Sequence, residues 1–502
     1  MLAFMRAWDY GMVDLDDYLY LTHAELSRPW SLKSLKWMFC DLGEGIWMPL
    51  TWLSYAFDTV VFGENFGAFH IHSILLHGCN AMLLYAFLRL LGGGRAACAL
   101  GALLWAVHPL RCESVVFLAS RKDVLSFFFE LAALIFWVKK RENGKWLALS
   151  YVCFAAASMA KPSVMTFPVL CLLVDGFILR RIKPADYVLP LAYAGLLGVF
   201  AGKAQAAGGA TGALDFVPYW YKVLNAMAAF GIYIRNTLLP ADLAVQCIVQ
   251  YPARLPRFLS GGAAITACVL GYLALRARGY WRRAGEMLEA KLDGLDTEIT
   301  VKAPADVPFA ALGWFAAAVA PMLGLASFGY HSYADRFTYI PAVGFSILVA
   351  LKAGRKTQIA ATAAVAALCV LTWRQTWFWG NDERLFTRTV EVDGDGNAGA
   401  HSVLANYYFE FPHDLEKCVE HFEKAIAAAP EFVECTFEIY IMALCELGRT
   451  QEVPALLRFY DKYVKEKVED DPKFGPASPR AGFARAVYRS ARVAYQIGRA
   501  HV

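Results

Sequence analysis

Of the 502 residues, 58% are hydrophobic and 18% charged, and the formal net charge is only +4. This balance lies on the lipid side of an ordinary soluble composition. It excludes a nucleic-acid footprint, because the chain shows no basic face, zinc-finger spacing or aromatic platform motif. Cys79, Cys98, Cys153, Cys171, Cys268 and Cys369 sit in apolar runs and read as small hydrophobes, while Cys418, Cys435 and Cys445 lack CxxC spacing. Neither a metal site nor a disulfide framework is expected.

A spanning helix needs roughly 20 mainly apolar residues. Taken in chain order, Met1–Met12 reads as the tail of a first helix whose beginning is missing. Spans are expected at Phe66–Leu91, Arg95–Leu110, Val124–Trp137, Trp146–Ala160, Val164–Leu179 and Tyr187–Gly202. Further spans are expected at Phe258–Leu275, Phe309–Ser327, Tyr339–Leu351 and Ile359–Trp377. Val223–Leu239 is apolar as well, but Arg235 interrupts it and Pro240 ends it, so it reads as a re-entrant or surface-lying helix.

Lys and Arg favour the cytoplasmic side of a membrane. Basic residues cluster at Arg89 and Arg95, Lys139–Arg141, Arg180–Lys183, Arg276–Arg283 and Lys352–Lys356. With these inside, the segments around Asp16, His108–Glu113, Lys161, Gly202–Tyr221 and Tyr330–Pro341 fall outside, as does everything after about Gly380. Compact loops suit a bacterial inner membrane better than an endoplasmic reticulum membrane.

Beyond residue 380 charges become frequent and no run could span a bilayer. Ala400–Glu410 with Leu415–Ala429 reads as one helix pair closed by Pro430; Phe432–Leu447 with Gln451–Tyr460 reads as a second, turning at Gly448. The step is close to the roughly 34-residue period of tetratricopeptide repeats. Ala481–Gly498 reads as the start of a third pair. Such a stack presents a groove for partners. The division predicted is a membrane bundle over 1–380 and an external repeat domain over 381–502.

Charged groups at membrane depth are costly and usually face a cavity or partner. Asp16–Asp17 reads equally as a general base or as a helix cap. His108, Arg111 and Glu113, followed by Arg121, Lys122 and Asp123, could position a phosphate and an acceptor, or form a self-neutralising cluster; their density favours function. In Tyr333–Tyr339, Asp335 suits a cap and Arg336 a phosphate contact, against a structural Asp–Arg pair. His70, His72 and His77 read as hydrogen-bonded core residues. Lys161 could hold a phosphate or snorkel. Asp14-Leu15-Asp16 has a DxD spacing, weak support for a divalent cation.

Several of these segments occur together in a specific order: Trp47–Trp52, Leu76–Asn80, His108–Val115, Ser120–Asp123, Ala160–Pro162 and Asp335–Pro341. With the repeats that follow, the chain resembles the transmembrane and tetratricopeptide-repeat O-mannosyltransferase-like proteins. The resemblance implies an all-α architecture, a polytopic GT-C-like transmembrane bundle followed by an α-solenoid. It implies a polyprenyl- or dolichyl-phosphate sugar donor, typically mannose, and a Ser or Thr acceptor on a protein. It places the family's acids on Asp16, Asp17 and Glu113, and basic positions on Arg121 and Arg336.

The expected chemistry is inverting transfer in which Asp16 or Asp17 takes the acceptor proton. Arg121, Arg336, Lys161, Arg111 and His108 are the candidate cations for the donor phosphate. No metal site is assigned, with a divalent cation left open. A membrane-anchored repeat scaffold that recruits an external partner is the rival reading, and a transporter a weaker one, since only one interrupted segment and no paired broken helices are evident.

Overall fold

The computed structural model describes residues 1–26, 30–42, 45–207, 217–245, 247–248, 255–282, 288–289, 299–301, 305–325, 331–429, 437–464, 489–493 and 495–496. Of the described residues 79% are helical and almost none are in strands, as an all-α bundle followed by helical repeats requires. It divides into two compact units, Met1–Leu243 with Val249–Asn381, and Ala244–Ile248 with Asp382–Val502.

In the first unit a 3-10 helix (Leu2–Asp9) leads to α1 (Asp17–Leu21), α2 (Leu32–Cys40), α3 (Pro49–Phe62) and α4 (Phe66–Leu90). There follow α5 (Arg95–Ala106), α6 (Arg111–Val115), α7 (Arg121–Lys139), α8 (Lys145–Ala160) and α9 (Phe167–Leu173). The unit continues through α10 (Ala185–Ala207), α11 (Tyr219–Leu238), α12 (Leu255–Arg282), α13 (Val307–Val319), α14 (Val343–Lys352) and α15 (Arg355–Phe378). Pro49 opens α3 at a position where its missing N–H costs nothing, and the Asn65 side chain caps α4 by accepting from Ala68 N.

Four of the expected spans are helices long and apolar enough to cross a membrane: α4, the continuous helical stretch Pro162–Leu179, α10 and α15. Arg95–Ala106, Lys145–Ala160 and Val307–Met322 form shorter apolar helices. The chain is a membrane protein. The start of the chain forms 3-10 rather than α-helix, with Phe4 and Ala7 fully buried.

Val223–Leu239 does not lie on the surface. It belongs to α11, a 20-residue helix whose Asn225, Ala226, Ala228–Gly231, Tyr233, Ile234 and Asn236 are all buried. At 1.5 Å per residue such a helix is about 30 Å long. It can bury this face because small residues let α12 approach: a Cβ at Gly231 would sit 1.9 Å from Gly262 O. Arg235, which interrupts the apolar run, is exposed, as are Leu238 and Leu239 at the end of the helix.

The bundle is pinned by a buried polar lattice around Tyr339. Its hydroxyl meets His77 Nδ1 at 2.7 Å and accepts from Asn80 Nδ2 at 3.2 Å, while its carbonyl accepts from Trp105 Nε1 at 2.8 Å. His77 Nε2 donates to Ala106 O at 2.8 Å. His70 bonds Gly11 O at 3.1 Å. His77 is therefore a packing residue with both ring nitrogens bonded inside the core, whereas His70 bonds through Nε2 alone and its buried Nδ1 finds no partner among the described residues.

The second unit contains α16 (Asp382–Asp393), α17 (Ala398–Glu410), α18 (Leu415–Ala428), α19 (Phe437–Glu446) and α20 (Val453–Val464). Asn397 caps α17 and Asp414 caps α18 through their side chains. Cys418, Val419, Phe422 and Ala425 form the buried stripe of α18. Gly448 ends α19 at φ 74°, and Arg449 N reaches back to Leu444 O at 2.8 Å, a left-handed cap that only glycine adopts without strain. The first helix pair agrees with the sequence reading to within two residues, whereas α16 was not foreseen. Pro430 and most of the expected third pair at Ala481–Gly498 lie outside the described residues.

One contact in this unit titrates. His401 on α17 and His421 on α18 face each other with Nδ1 atoms 2.8 Å apart, and the Tyr408 ring stacks on His421. Such a bond needs a donor on one nitrogen and a lone pair on the other, so both rings cannot be charged. Burial and the facing imidazole push His421 down to about 4; burial lowers His401 too, against the pull of Asp395. The unfolded chain therefore takes up these protons first, starting near the ordinary value of about 6.5. Stability is full above that pH and falls between there and about 4. Amide exchange across α17 and α18 should accelerate from pH 7.5 to pH 5 in the wild type and much less so in His421→Gln. Equal acceleration in both would contradict the assignment.

Candidate functional site

Asp17 is the first residue of α1, and its carboxylate is a staple. It accepts from Val13 N at 3.1 Å and, across the fold, from Ala119 N at 2.7 Å. The side chain is 1% exposed. Successive helical residues point about 100° apart. Asp16 therefore turns away from this staple; it is half-buried and makes no side-chain cap bond.

Asp16 bonds no cation, yet it lies near enough to Lys122 and Arg336 for its charge to act on both. Of the charged groups around Lys122, Asp16 acts on it most strongly, ahead of Asp123, Arg336 and Asp17. Arg336 in turn feels Glu113 first and Asp16 next. Lys122 is 5% exposed; its ammonium donates to Tyr20 Oη at 3.2 Å and lies 4.4 Å from the centre of the Tyr20 ring. Tyr20 is backed edge-on by Trp52, which packs on Trp37, on which His23 stacks.

Glu113, from α6, holds the 3-10 turn Asp335–Thr338 with both carboxylate oxygens. One accepts from Arg336 N at 2.9 Å and the other pairs with the Arg336 guanidinium. Lys161, between α8 and the helical stretch after it, pairs with Asp123. Burial, with the Glu113 carboxylate alongside, pushes the Asp335 carboxyl well above the ordinary carboxylate range. Around these pairs several buried polar atoms lack a partner: Ser114 Oγ, Ser120 Oγ, Asp123 Oδ2 and Asp335 Oδ1. Such atoms are costly in a finished core and ordinary where a polar ligand completes the site.

Thus Asp16, Asp17, Glu113, Lys161 and Arg336 converge. Three other expected residues do not join them. Arg121 is 0% exposed and engaged at every nitrogen. It donates to Ser73 Oγ at 2.7 Å, Ser54 Oγ at 2.9 Å and Phe69 O at 2.7 Å, and forms an ion pair with Asp58 at 2.8 Å. Asp58 also pairs with His72. This is a clamp binding α7 to α3 and α4, with no fork left for a phosphate.

Arg111 is likewise fully buried, donating to Thr338 O at 3.0 Å and Thr338 Oγ1 at 2.6 Å with its guanidinium 5.3 Å from the centre of the Tyr339 ring. His108 accepts from Leu110 N through Nδ1, so it carries its proton on Nε2, which donates to Thr237 O at 3.1 Å. These two residues fasten the outer turns of the bundle.

Lys122 is grouped with Arg121 and Asp123 in the sequence but is not among the candidate cations, yet at the start of α7 the Arg121 and Lys122 side chains diverge. The available signal was helical phase: Arg121 faces α3 and α4, and Lys122 faces the loop bearing Asp16. Among the described residues no three His, Cys, Asp or Glu side chains are grouped to hold a metal ion.

Part of the chain is similar to known proteins. The human protein O-mannosyl-transferase TMTC2 is 26% identical over 152 residues, 29% of this chain and 18% of that protein. The chain is similar to the TMTC protein O-mannosyl-transferases. Tmtc1 of Drosophila melanogaster is 29% identical over 133 residues, 26% of this chain and 16% of its own length. Human TMTC4 matches over a longer stretch, 29% identical across 219 residues, 38% of this chain and 29% of that protein. The chain thus spans less than a third of the length of each of these TMTC relatives. No protein-family model and no solved structure matches it.

Proposed function

We propose that the chain is a GT-C-type inverting glycosyltransferase that moves a sugar, mannose, from a polyprenyl- or dolichyl-phosphate to a Ser or Thr hydroxyl of a protein. The helical repeats hold the acceptor, and the reaction takes place at the outer face of a bacterial inner membrane. The observation that carries this reading is Asp16, a carboxylate free of capping duty and facing Lys122 and Arg336. The relatives' names supply the reaction class.

The step balances on this chain's own residues. The acceptor O–H bond breaks and its proton goes to Asp16. The acceptor oxygen forms a bond to the anomeric carbon as the bond from that carbon to the phosphate oxygen breaks, and the electron pair leaves with the lipid phosphate. Attack from the face opposite the leaving group inverts the anomeric centre. Asp17 does not touch the reacting atoms; through Val13 N and Ala119 N it positions the loop that carries Asp16. Glu113 and Asp123 hold Arg336 and Lys161 in place, so these two cations reach a ligand only as members of ion pairs.

The scaffold reading has a specific weakness. A bundle that only anchors a repeat domain has no use for a set of buried, partly unpartnered charges at one place. Native mass spectrometry of the protein extracted in mild detergent tests the proposal. A co-purified polyprenyl-phosphate hexose, lost on addition of a Ser/Thr peptide with a hexose gained by that peptide, is the result expected. A protein that carries no such lipid, and takes none up from added stocks, would return the scaffold to first place.

A further inference from the structure

We infer that Lys122, standing on the Tyr20 ring, is the residue that receives the departing lipid phosphate, its fixed positive charge offsetting Asp16 before transfer and the phosphate after it. This rests on the glycosyl-transfer reading and deepens it by naming the cation at the leaving group.

The first argument is elimination by hydrogen bonding. Arg121 and Arg111 spend their guanidinium groups on internal acceptors. Arg336 is tied to Glu113 through side chain and backbone, and Lys161 to Asp123. Among the described residues Lys122 makes one hydrogen bond, to a neutral phenol oxygen, and no ion pair within bonding distance. An ammonium has three donors. Two remain on a side chain that is 95% removed from solvent, in a neighbourhood where Ser120 Oγ and Asp123 Oδ2 also lack partners.

The second argument is charge. A lipid-phosphate sugar is a phosphodiester with one negative charge; its leaving group is a monoester with two. Before transfer Asp16 and the diester each carry −1 against the +1 of Lys122. After transfer Asp16 is protonated, and the monoester carries −2 against the same +1. The total is unchanged, but the negative charge that acts on Lys122 moves from the Asp16 carboxylate, which it does not bond, to the phosphate, which it does. A donor fixed where charge develops stabilises the transition state without reorganising. The Tyr20 ring serves as a pedestal: its face attracts the ammonium and its hydroxyl fixes one donor, so the other two are aimed.

The test is binding, separate from turnover. The full chain in nanodiscs is titrated with undecaprenyl monophosphate, with undecaprenol and with inorganic phosphate, and uptake is read by native mass spectrometry. Wild type should take the monophosphate well above both controls. Lys122→Met should lose about tenfold or more in monophosphate affinity, the worth of a charge-assisted hydrogen bond, and keep undecaprenol uptake unchanged. Lys122→Arg should recover most of the loss, and Tyr20→Phe, which keeps the ring but removes the hydroxyl, should lose several-fold.

Wild-type binding with undiminished binding by Lys122→Met overturns the assignment of Lys122 alone. If Lys122→Met does not fold, full monophosphate affinity in Tyr20→Phe overturns it instead. No preference of the wild type for monophosphate over undecaprenol, or equal uptake of inorganic phosphate, overturns the lipid-phosphate reading beneath it.

Discussion

Asp16→Asn is expected to lower sugar transfer by about 10²–10⁴-fold, the usual worth of a general base, with thermal stability unchanged. The expectation follows from how the two adjacent aspartates divide their work. Asp16 makes no capping bond, so an amide in its place removes basicity and charge and little else. Asp17 accepts two backbone N–H groups, one from Val13 nearby and one from Ala119, 102 residues further along the chain. An amide offers one acceptor where the carboxylate offers two, and it turns its NH₂ toward the other donor. Asp17→Asn should therefore lower activity and melting temperature together. Measuring turnover and thermal unfolding for both variants separates the roles. A fully active Asp16→Asn protein would remove the base from the mechanism.

The largest stability effect is expected at Asp58. Asp58→Ala leaves the Arg121 guanidinium buried without its counter-ion and also strips the partner from His72. Breaking a buried ion pair from one side costs about 3–5 kcal/mol, because the remaining charge stays desolvated. That is a large fraction of the whole stability of an ordinary domain. Denaturant or thermal unfolding in detergent should show the loss, and Asp58→Ala paired with Arg121→Met should recover part of it by removing the stranded charge. A phosphate-binding role for Arg121 predicts otherwise: Asp58→Ala would free the guanidinium, leave stability nearly unchanged and tighten binding of a lipid phosphate.

The long helices were legible because length and apolarity are properties of a single segment. Phe66–Leu90 and Arg355–Phe378 needed no knowledge of their neighbours. At Val223–Leu239 the surface-lying alternative fails because the helix turns Arg235 outward and buries the opposite face against Gly262, a packing partner that no local pattern discloses. Helix α16 was missed because its first turn carries Asp382 and Glu383 and its burial rests mainly on Leu385 and Phe386, too little to stand out in a charged stretch.

At the candidate site the residue types were readable and the partners were not. Glu113 and Arg336 are 223 residues apart in sequence and meet through a turn whose shape no local pattern specifies. Arg121 and Lys122 are neighbours in sequence and serve different assemblies, a clamp among α3, α4 and α7 and a cation beside Asp16. The sequence placed charge at the right height in the bundle; one residue of helical phase decided which charge faced the loop.

The most direct measurement is transfer itself. The purified chain, reconstituted with radiolabelled polyprenyl-phosphate mannose, is offered a Ser/Thr-containing peptide and its Ala-substituted copy. Label appearing in the first peptide alone, released by β-elimination and absent with Asp16→Asn, is the predicted result. Donor that binds to the protein yet delivers no label to any hydroxyl acceptor would contradict the proposed activity.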